Sequence, residues 1–251
     1  MPIEAVPALP AWPSCIAAPQ AVPRVRAIVM AAGEGRRLLP LTERWPKPML
    51  PIGGRAVIAA LLRQLEGEGF APITVVTGYL AGQLEGLLEE EEVRFVRQPQ
   101  PLGSADAVRH ALAADSGLPA VVSAADTLFR PGDLGAFRES FVSSAAAGAI
   151  GFVRRAGARA IRVEGGLVQS VLDSEPGELA PAPLWGVSGE IDLEDLPGPP
   201  YELAAAFQRA IDAGKPVAAI EIGTTRQLTD PVDLVRENFP YLEAYERERD
   251  L

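Results

Sequence analysis

Residues 26–30, Arg-Ala-Ile-Val-Met, form a short apolar run that stops at a glycine-rich turn, and this reads as a buried strand. Val57, Ile58, Leu61, Leu62 and Leu65 then recur at the spacing of one helix face, predicting a helix over 55–68. The alternation continues. A β-branched strand is predicted at 73–77, a helix with an acidic end at 80–92, a strand at 93–96, a helix over 104–114 capped by Ser104, a buried strand at 120–123 and a helix over 133–146. Strands alternating with helices at this spacing predict a parallel sheet covered on both faces.

After residue 147 the rhythm changes. Segments 148–153, 159–163, 167–172, 184–188 and 217–222 read as strands, and Glu164-Gly165-Gly166 suits a hairpin between the second and third. Helices are predicted over 202–213 and 231–238, the latter opened by Asp230 with Pro231 at its first position. Pro240 interrupts that helix, and a last helical stretch is expected up to 249. The fold class expected is α/β: a single-domain, Rossmann-like, three-layer α/β/α fold with a mixed, mainly parallel sheet. Its nucleotide-binding half spans about 25–147 and its second half about 148–251. Residues 1–24 hold six of the 24 prolines and read as an extended, mobile leader.

Composition narrows the function classes. With 251 residues, 48% of them hydrophobic, the chain can bury a sizeable core. A net charge of -10 argues against nucleic acid as a partner. The single cysteine, Cys15, excludes an internal disulfide framework and a cysteine-based zinc site, and fits a cytoplasmic protein. No apolar stretch reaches the roughly 18 residues that span a bilayer, so no membrane partner is expected. Of the 23 basic residues only Lys47 and Lys215 are lysines.

The stretch 31–54, AAGEGRRLLPLTERWPKPMLPIGG, carries the main chemical signal. Gly33 and Gly35 directly follow a strand, and without a Cβ they let backbone N–H groups approach phosphate oxygens. A dinucleotide fingerprint needs a third glycine where Leu38 stands, and a P-loop needs Gly-Lys-Ser/Thr where Arg36-Arg37-Leu38 stands. Instead Arg37-Leu38 leads to Pro40-Leu41-Thr42 and then to Pro46-Lys47-Pro48. In this the sequence resembles the sugar-1-phosphate nucleotidyltransferases, whose signature is Gly-x-Gly-x-Arg-Leu-x-Pro-Leu-Thr followed by Pro-Lys-Pro. The resemblance runs from about 25 to 238 and implies the nucleotide-diphospho-sugar transferase type of fold.

It also implies a reaction: a sugar-1-phosphate attacks the α-phosphorus of an NTP, giving an NDP-sugar and pyrophosphate with Mg²⁺ as cofactor. Ala32, Gly33 and Gly35 would wrap the triphosphate, Arg37 would neutralise it, and Lys47 would set one ammonium near the α-phosphate. Gln98 and Gly103, in Gln98-Pro-Gln-Pro-Leu-Gly103-Ser-Ala, match the family's Gln-x-x-Pro-x-Gly-x-Ala, which contacts the nucleobase. That context favours UTP or dTTP. Asp126 matches the family's metal-binding aspartate, although Ala125 replaces the glycine before it, and Glu221 in Glu-Ile-Gly-Thr stands where a second metal-binding aspartate is usual.

The sugar side departs from the pattern. Glu175 in Ser-Glu-Pro replaces the lysine of Glu-Lys-Pro and is assigned to sugar hydroxyls, with Gly186 facing the sugar. Arg154, Arg155 and Arg159 are candidates for the missing positive charge, with no choice among them, and Lys215 shows no sign of compensating. These departures motivate two alternatives: a transferase-like nucleotide-binding regulatory subunit without turnover, or a guanylyl- or cytidylyltransferase acting on another phosphorylated acceptor. Phe137 and Phe141 read as core, His110 as a surface or satisfied helical residue, and Glu89 to Glu92 as a solvated helix end. The aromatic segment 239–245 would either cover the fold or join subunits of a homo-oligomer.

Overall fold

Side chains of β1 (Val25–Met30) point alternately into two different cores: Ala27 and Val29 into one, Ile28 into the other. This is why the strand is apolar from Ala27 to Met30, since a parallel strand with helices on both faces has no solvated side. The computed structural model describes residues 25–239 apart from 160, 173 and 174. The leader over 1–24, Cys15 and the helical stretch expected after Pro240 lie outside the described residues.

The first half continues through the short strands β2 (Pro51–Ile52) and β3 (Arg55–Ala56), then α1 (Val57–Gly67), β4 (Phe70–Thr77), α2 (Ala81–Leu87), β5 (Val93–Arg97), α3 (Ser104–Ala114), β6 (Ala120–Ala124), β7 (Thr127–Leu128) and α4 (Asp133–Ser143). The second half supplies β8 (Gly148–Arg159), β9 (Arg162–Glu164), β10 (Leu167–Ser170), β11 (Pro176–Val187), α5 (Leu203–Asp212), β12 (Val217–Glu221), β13 (Arg226–Gln227) and α6 (Pro231–Asn238). Both halves share one nine-stranded sheet in the order β5-β4-β1-β6-β11-β8-β12-β10-β9. β5, β4, β1 and β6 are mutually parallel, as are β8 and β12, while β11 runs antiparallel to β6 and β8. α1 and α4 cover one face through Leu61, Leu65, Phe137 and Phe141, and α3 and α5 cover the other through Val108, Leu203 and Phe207. The three-layer α/β/α expectation holds.

Several boundaries differ from the sequence reading, each for a physical reason. α2 stops at Leu87, because the buried Leu88 draws the chain toward the core and the Glu89–Glu92 run follows as turn. α4 ends three residues earlier than expected, at Ser143, where the chain turns through Ala145 in a left-handed conformation. β8 and β11 are each 12 residues long, well beyond the apolar segments read from sequence. Their backbones stay paired from Gly148↔Val187 out to Arg159↔Pro176, past the ends of β6 and β12. Beyond the core a strand keeps its ladder but loses its apolar signature. Ser104 does not cap α3. Its hydroxyl accepts from the Leu203 N–H at 2.8 Å, so it serves the start of α5, and Gly103 is the N-cap of α3.

Candidate functional site

Ligands of open α/β sheets gather at the carboxyl ends of parallel strands. Here the ends of β1 and β6 lie level, Met30 opposite Ala124, and a cavity of about 290 Å³ opens beyond them. Its wall includes Gly33, Gly35, Arg36, Arg37, Lys47 and Asp126.

The loop after β1 is anchored from below. Leu38, where a dinucleotide fingerprint would carry glycine, is fully buried, and the buried Thr42 donates from Oγ1 to the Gly35 carbonyl at 3.0 Å. Gly35 is left-handed (φ 68°), and a Cβ there would lie 3.0 Å from Lys47 Cβ and 3.0 Å from Thr42 Cγ2. Its glycine is therefore what seats Lys47 against the loop. Gly33 is different: a Cβ there would meet nothing within 4 Å, so packing does not demand glycine at this position of the cavity wall. Gly35→Ala is expected to cost about 1–3 kcal/mol for a strained backbone. Displacing Lys47 should also cost about 100-fold in turnover. Denaturant melts and steady-state rates check the two separately.

Lys47 sits in a 3-10 turn, Lys47–Met49, between two prolines. Its ammonium contacts Asp126 Oδ2, and the two side chains are 15% and 13% exposed, so the pair is largely out of solvent. Asp126 is fixed by its own neighbours: its carbonyl accepts from the Leu228 N–H at 3.1 Å, and Oδ1 accepts from Thr127 Oγ1 at 3.2 Å. Gln64 of α1 clamps the following turn, donating to the Phe129 carbonyl at 2.8 Å and accepting from its N–H at 3.1 Å. Arg37 is exposed on the wall. Arg36 also lies there, paired with Glu34 at 2.6 Å, and that hydrogen bond raises the guanidinium above its ordinary pKa.

Other sequence assignments are placed differently. Ala31 lines the cavity in place of Ala32, whose side chain belongs to the opposite core and whose carbonyl accepts from the Tyr79 N–H at 3.1 Å. Adjacent residues leaving a strand face opposite ways, which accounts for the exchange. Gly103 lies off the cavity wall. A Cβ there would stand 2.3 Å from the Tyr201 carbonyl oxygen, so close backbone approach explains this glycine without a base. Gln98 is buried and also off the wall.

Gly186 does not face an open site. It lies in mid-sheet opposite Val121 and Ala149, and a Cβ would sit 2.6 Å from the Phe141 ring. Gly186→Ala is therefore expected to destabilise the fold by about 1–3 kcal/mol through overpacking. The KM for a phosphorylated acceptor should stay unchanged; a urea melt beside steady-state kinetics checks both.

Glu221 is not among the residues of the cavity wall. It forms a two-point ion pair with Arg154, Nε to Oε1 at 2.8 Å and Nη2 to Oε2 at 3.0 Å, which raises the Arg154 guanidinium. Glu175 is exposed at the start of the β11 arm. Lys215 donates to the Glu190 carbonyl at 2.6 Å, just before the amino end of β12 and so at the opposite edge of the sheet. Thr229 reaches the wall although nothing in its sequence context marked it; β13 pairing with β7 brings it there.

Among the described residues no group of three or more His, Cys, Asp or Glu side chains forms a metal centre, and no helix is long and apolar enough to cross a membrane. Asp126 nonetheless suits a hard cation. Mg²⁺ takes one or two carboxylates and fills its remaining positions with water and substrate phosphates.

Comparison with known proteins places the chain. N-acetylmuramate alpha-1-phosphate uridylyltransferase of Neisseria meningitidis serogroup B is 33% identical over 110 residues, covering 41% of this chain and 48% of that protein. CMP-5'-(3-aminopropyl)phosphonate synthase of Streptomyces rubellomurinus is 39% identical over 89 residues, 34% of this chain and 14% of that protein. The chain thus spans about half, or less, of the length of these curated relatives. The UDP-glucose pyrophosphorylase structure from Acinetobacter baumanii superposes with a TM-score of 0.72 at 20% identity, over 90% of this chain and 99% of that one, and so shares its fold. Residues 26–160, more than half of the chain and including the loop, Lys47 and Asp126, match the nucleotidyl transferase family model, and the chain belongs to that family.

Proposed function

We propose that the chain is a Mg²⁺-dependent nucleotidyltransferase that joins an NTP, UTP or dTTP by preference, to a sugar-1-phosphate. The products are an NDP-sugar and pyrophosphate. The observation that carries this reading is the Lys47–Asp126 pair inside a cavity walled by Gly33, Gly35 and Arg37.

An oxygen of the acceptor phosphate forms a bond to the α-phosphorus, and the bond from that phosphorus to the pyrophosphate oxygen breaks. An anion attacks an anionic centre, so the protein's work is neutralisation and in-line positioning. The Gly33–Gly35 backbone approaches the triphosphate, and Arg37 balances its charge. Lys47, immobilised by its prolines and by Gly35, offers an ammonium where charge builds on the α-phosphate. Asp126 would hold the metal, which would supply Lewis-acid neutralisation of the phosphates. Glu221 would join it only by leaving Arg154.

Gln98 is assigned to the base and Glu175 to the acceptor, with the nucleotide half at 25–147 and the acceptor half at 148–251. Pyrophosphate release measured across NTPs and sugar-1-phosphates, with and without Mg²⁺, tests the reading. Turnover that requires metal and both substrates is expected. NTP binding without turnover for any pair would point instead to a regulatory nucleotide-binding protein.

A further inference from the structure

Lys47 and Asp126 touch, yet 79 positions separate them in the chain, and each stands in a short turn with little regular structure of its own. A rigid element has to set their spacing, and α1 is attached to both turns. At its start the Val57 N–H donates to the Leu50 carbonyl at 3.0 Å, and the Leu50 N–H donates to the Lys47 carbonyl at 3.1 Å. Val57 and Leu61 are fully buried, and Met49 packs against the same core. Two turns further along the helix, about 10 Å on, Gln64 meets the segment that follows Asp126. Its Nε2 donates to the Phe129 carbonyl at 2.8 Å and its Oε1 accepts from the Phe129 N–H at 3.1 Å.

Donor meets acceptor on both sides of that amide, so Gln64 serves as one more rung beside β7. β7 needs it. The strand is two residues long, and it pairs only with the equally short β13, Thr127 opposite Gln227 and Leu128 opposite Arg226. The Leu228 N–H fixes the Asp126 carbonyl at one end of this segment, and Gln64 fixes Phe129 at the other. Phe129 is buried, so protein rather than water has to satisfy its peptide groups.

From this geometry we infer that Gln64 is a positioning residue: through α1 it holds Asp126 in register with Lys47. It lies outside every motif that marks the site in sequence. Without it the segment after Asp126 is held along one edge only, and the carboxylate is free to drift from the ammonium. With both groups at the reacting centre of the proposed nucleotidyl transfer, on which this inference rests, a shift of about 1 Å costs on the order of 100-fold in rate.

The test crosses Gln64→Met, which keeps the side chain's length but neither hydrogen bond, with Lys47→Ala. In pyrophosphate release, Gln64→Met should lower kcat about 10–100-fold and leave the KM for NTP within about threefold. Melting temperatures supply a readout that needs no substrate. Among the described residues no hydrogen bond joins Gln64 to Lys47, so coupling between them has to pass through Asp126. Once its turn is released, a stranded Asp126 carboxylate can rehydrate. Lys47→Ala should therefore lower the melting temperature less than about half as far in the Gln64→Met background as in wild type.

Phe207→Leu, which opens space in the core on the other face of the sheet, is the control. It should lower the melting temperature, keep kcat within about twofold of wild type and leave the loss on Lys47→Ala unchanged. Should Gln64→Met not fold, Gln64→Asn, one methylene too short to reach both Phe129 groups, carries the same comparison.

A Gln64→Met kcat within about threefold of wild type, or an equal loss on Lys47→Ala in both backgrounds, overturns the inference while leaving nucleotidyl transfer standing. So does a Phe207→Leu protein that loses as much kcat as Gln64→Met, since stability alone would then govern the rate. A wild type that releases no pyrophosphate with any pair of NTP and acceptor overturns the transferase reading itself.

Discussion

Lys47→Ala should lower kcat about 1000-fold, with a much smaller change in the KM for NTP. The magnitude is that of removing one preorganised donor from developing charge, about 3–4 kcal/mol of transition-state stabilisation. Lys47 is preorganised in several ways at once: a 3-10 turn between prolines, contact with the place where Gly35 lacks a Cβ, and an ion pair with Asp126. A charge held this way costs no reorganisation as the reaction proceeds. Its loss therefore falls on kcat more than on ground-state binding.

Lys47→Arg should rescue little. A planar guanidinium is larger than an ammonium and spreads its charge over a fork, while the lysine stem already lies against Gly35 of the loop. Stopped-time pyrophosphate assays at saturating and subsaturating NTP separate kcat from KM. Removal also leaves the Asp126 carboxylate, 13% exposed, without its partner, so the melting temperature should fall as well. A Lys47→Ala enzyme within tenfold of wild type in kcat would remove Lys47 from the chemistry.

That residue was legible because its surroundings were unusual in sequence: a lysine in a chain that otherwise uses arginine, flanked by prolines and preceded by a glycine loop. The strand-loop unit at 25–50 and the α3 limits at 104–114 are local features, set by short-range apolar periodicity and turn residues. So is the Asp230 cap, whose carboxylate accepts from the Val232 and Asp233 N–H groups as the Asp-Pro pair suggested.

Illegible features were those decided by distant partners. The glycine at 186 answers to the Phe141 ring and that at 103 to the Tyr201 backbone, two packing demands that look identical to a ligand's demand when only the chain is read. The length of β8 and β11 follows from their pairing with each other, since arginine, glycine and proline dominate beyond the core. Thr229 reached the cavity wall through β13 pairing with β7, and Glu221 turned to Arg154 because both side chains extend from neighbouring parallel strands. Motif spacing carries no trace of such pairings.

Asp126→Asn should also reduce kcat about 1000-fold, and its distinctive mark is the metal response. Asparagine has nearly the same shape and keeps one oxygen, so the turn clamped by Gln64 and the link to Leu228 should survive. What disappears is the negative charge, and with it the hard anionic ligand that a divalent cation needs. The Mg²⁺ concentration for half-maximal rate should rise at least about tenfold, the scale on which ligand-shell changes act. Lys47→Ala should leave that midpoint nearly unmoved.

The two effects should not add. Lys47 and Asp126 touch, so each single variant also strands the other's charge in a mostly buried setting, a penalty absent when both are gone. The double variant Lys47→Ala/Asp126→Asn is therefore expected to melt at or above the less stable of the two single variants while its turnover stays at the lower level. Thermal melts and Mg²⁺ titrations of all four proteins close the cycle. Strict additivity in stability would mean that the pair contributes no mutual interaction. An unchanged Mg²⁺ midpoint in Asp126→Asn would move the metal to other ligands, leaving Asp126 as the partner that holds Lys47 in place.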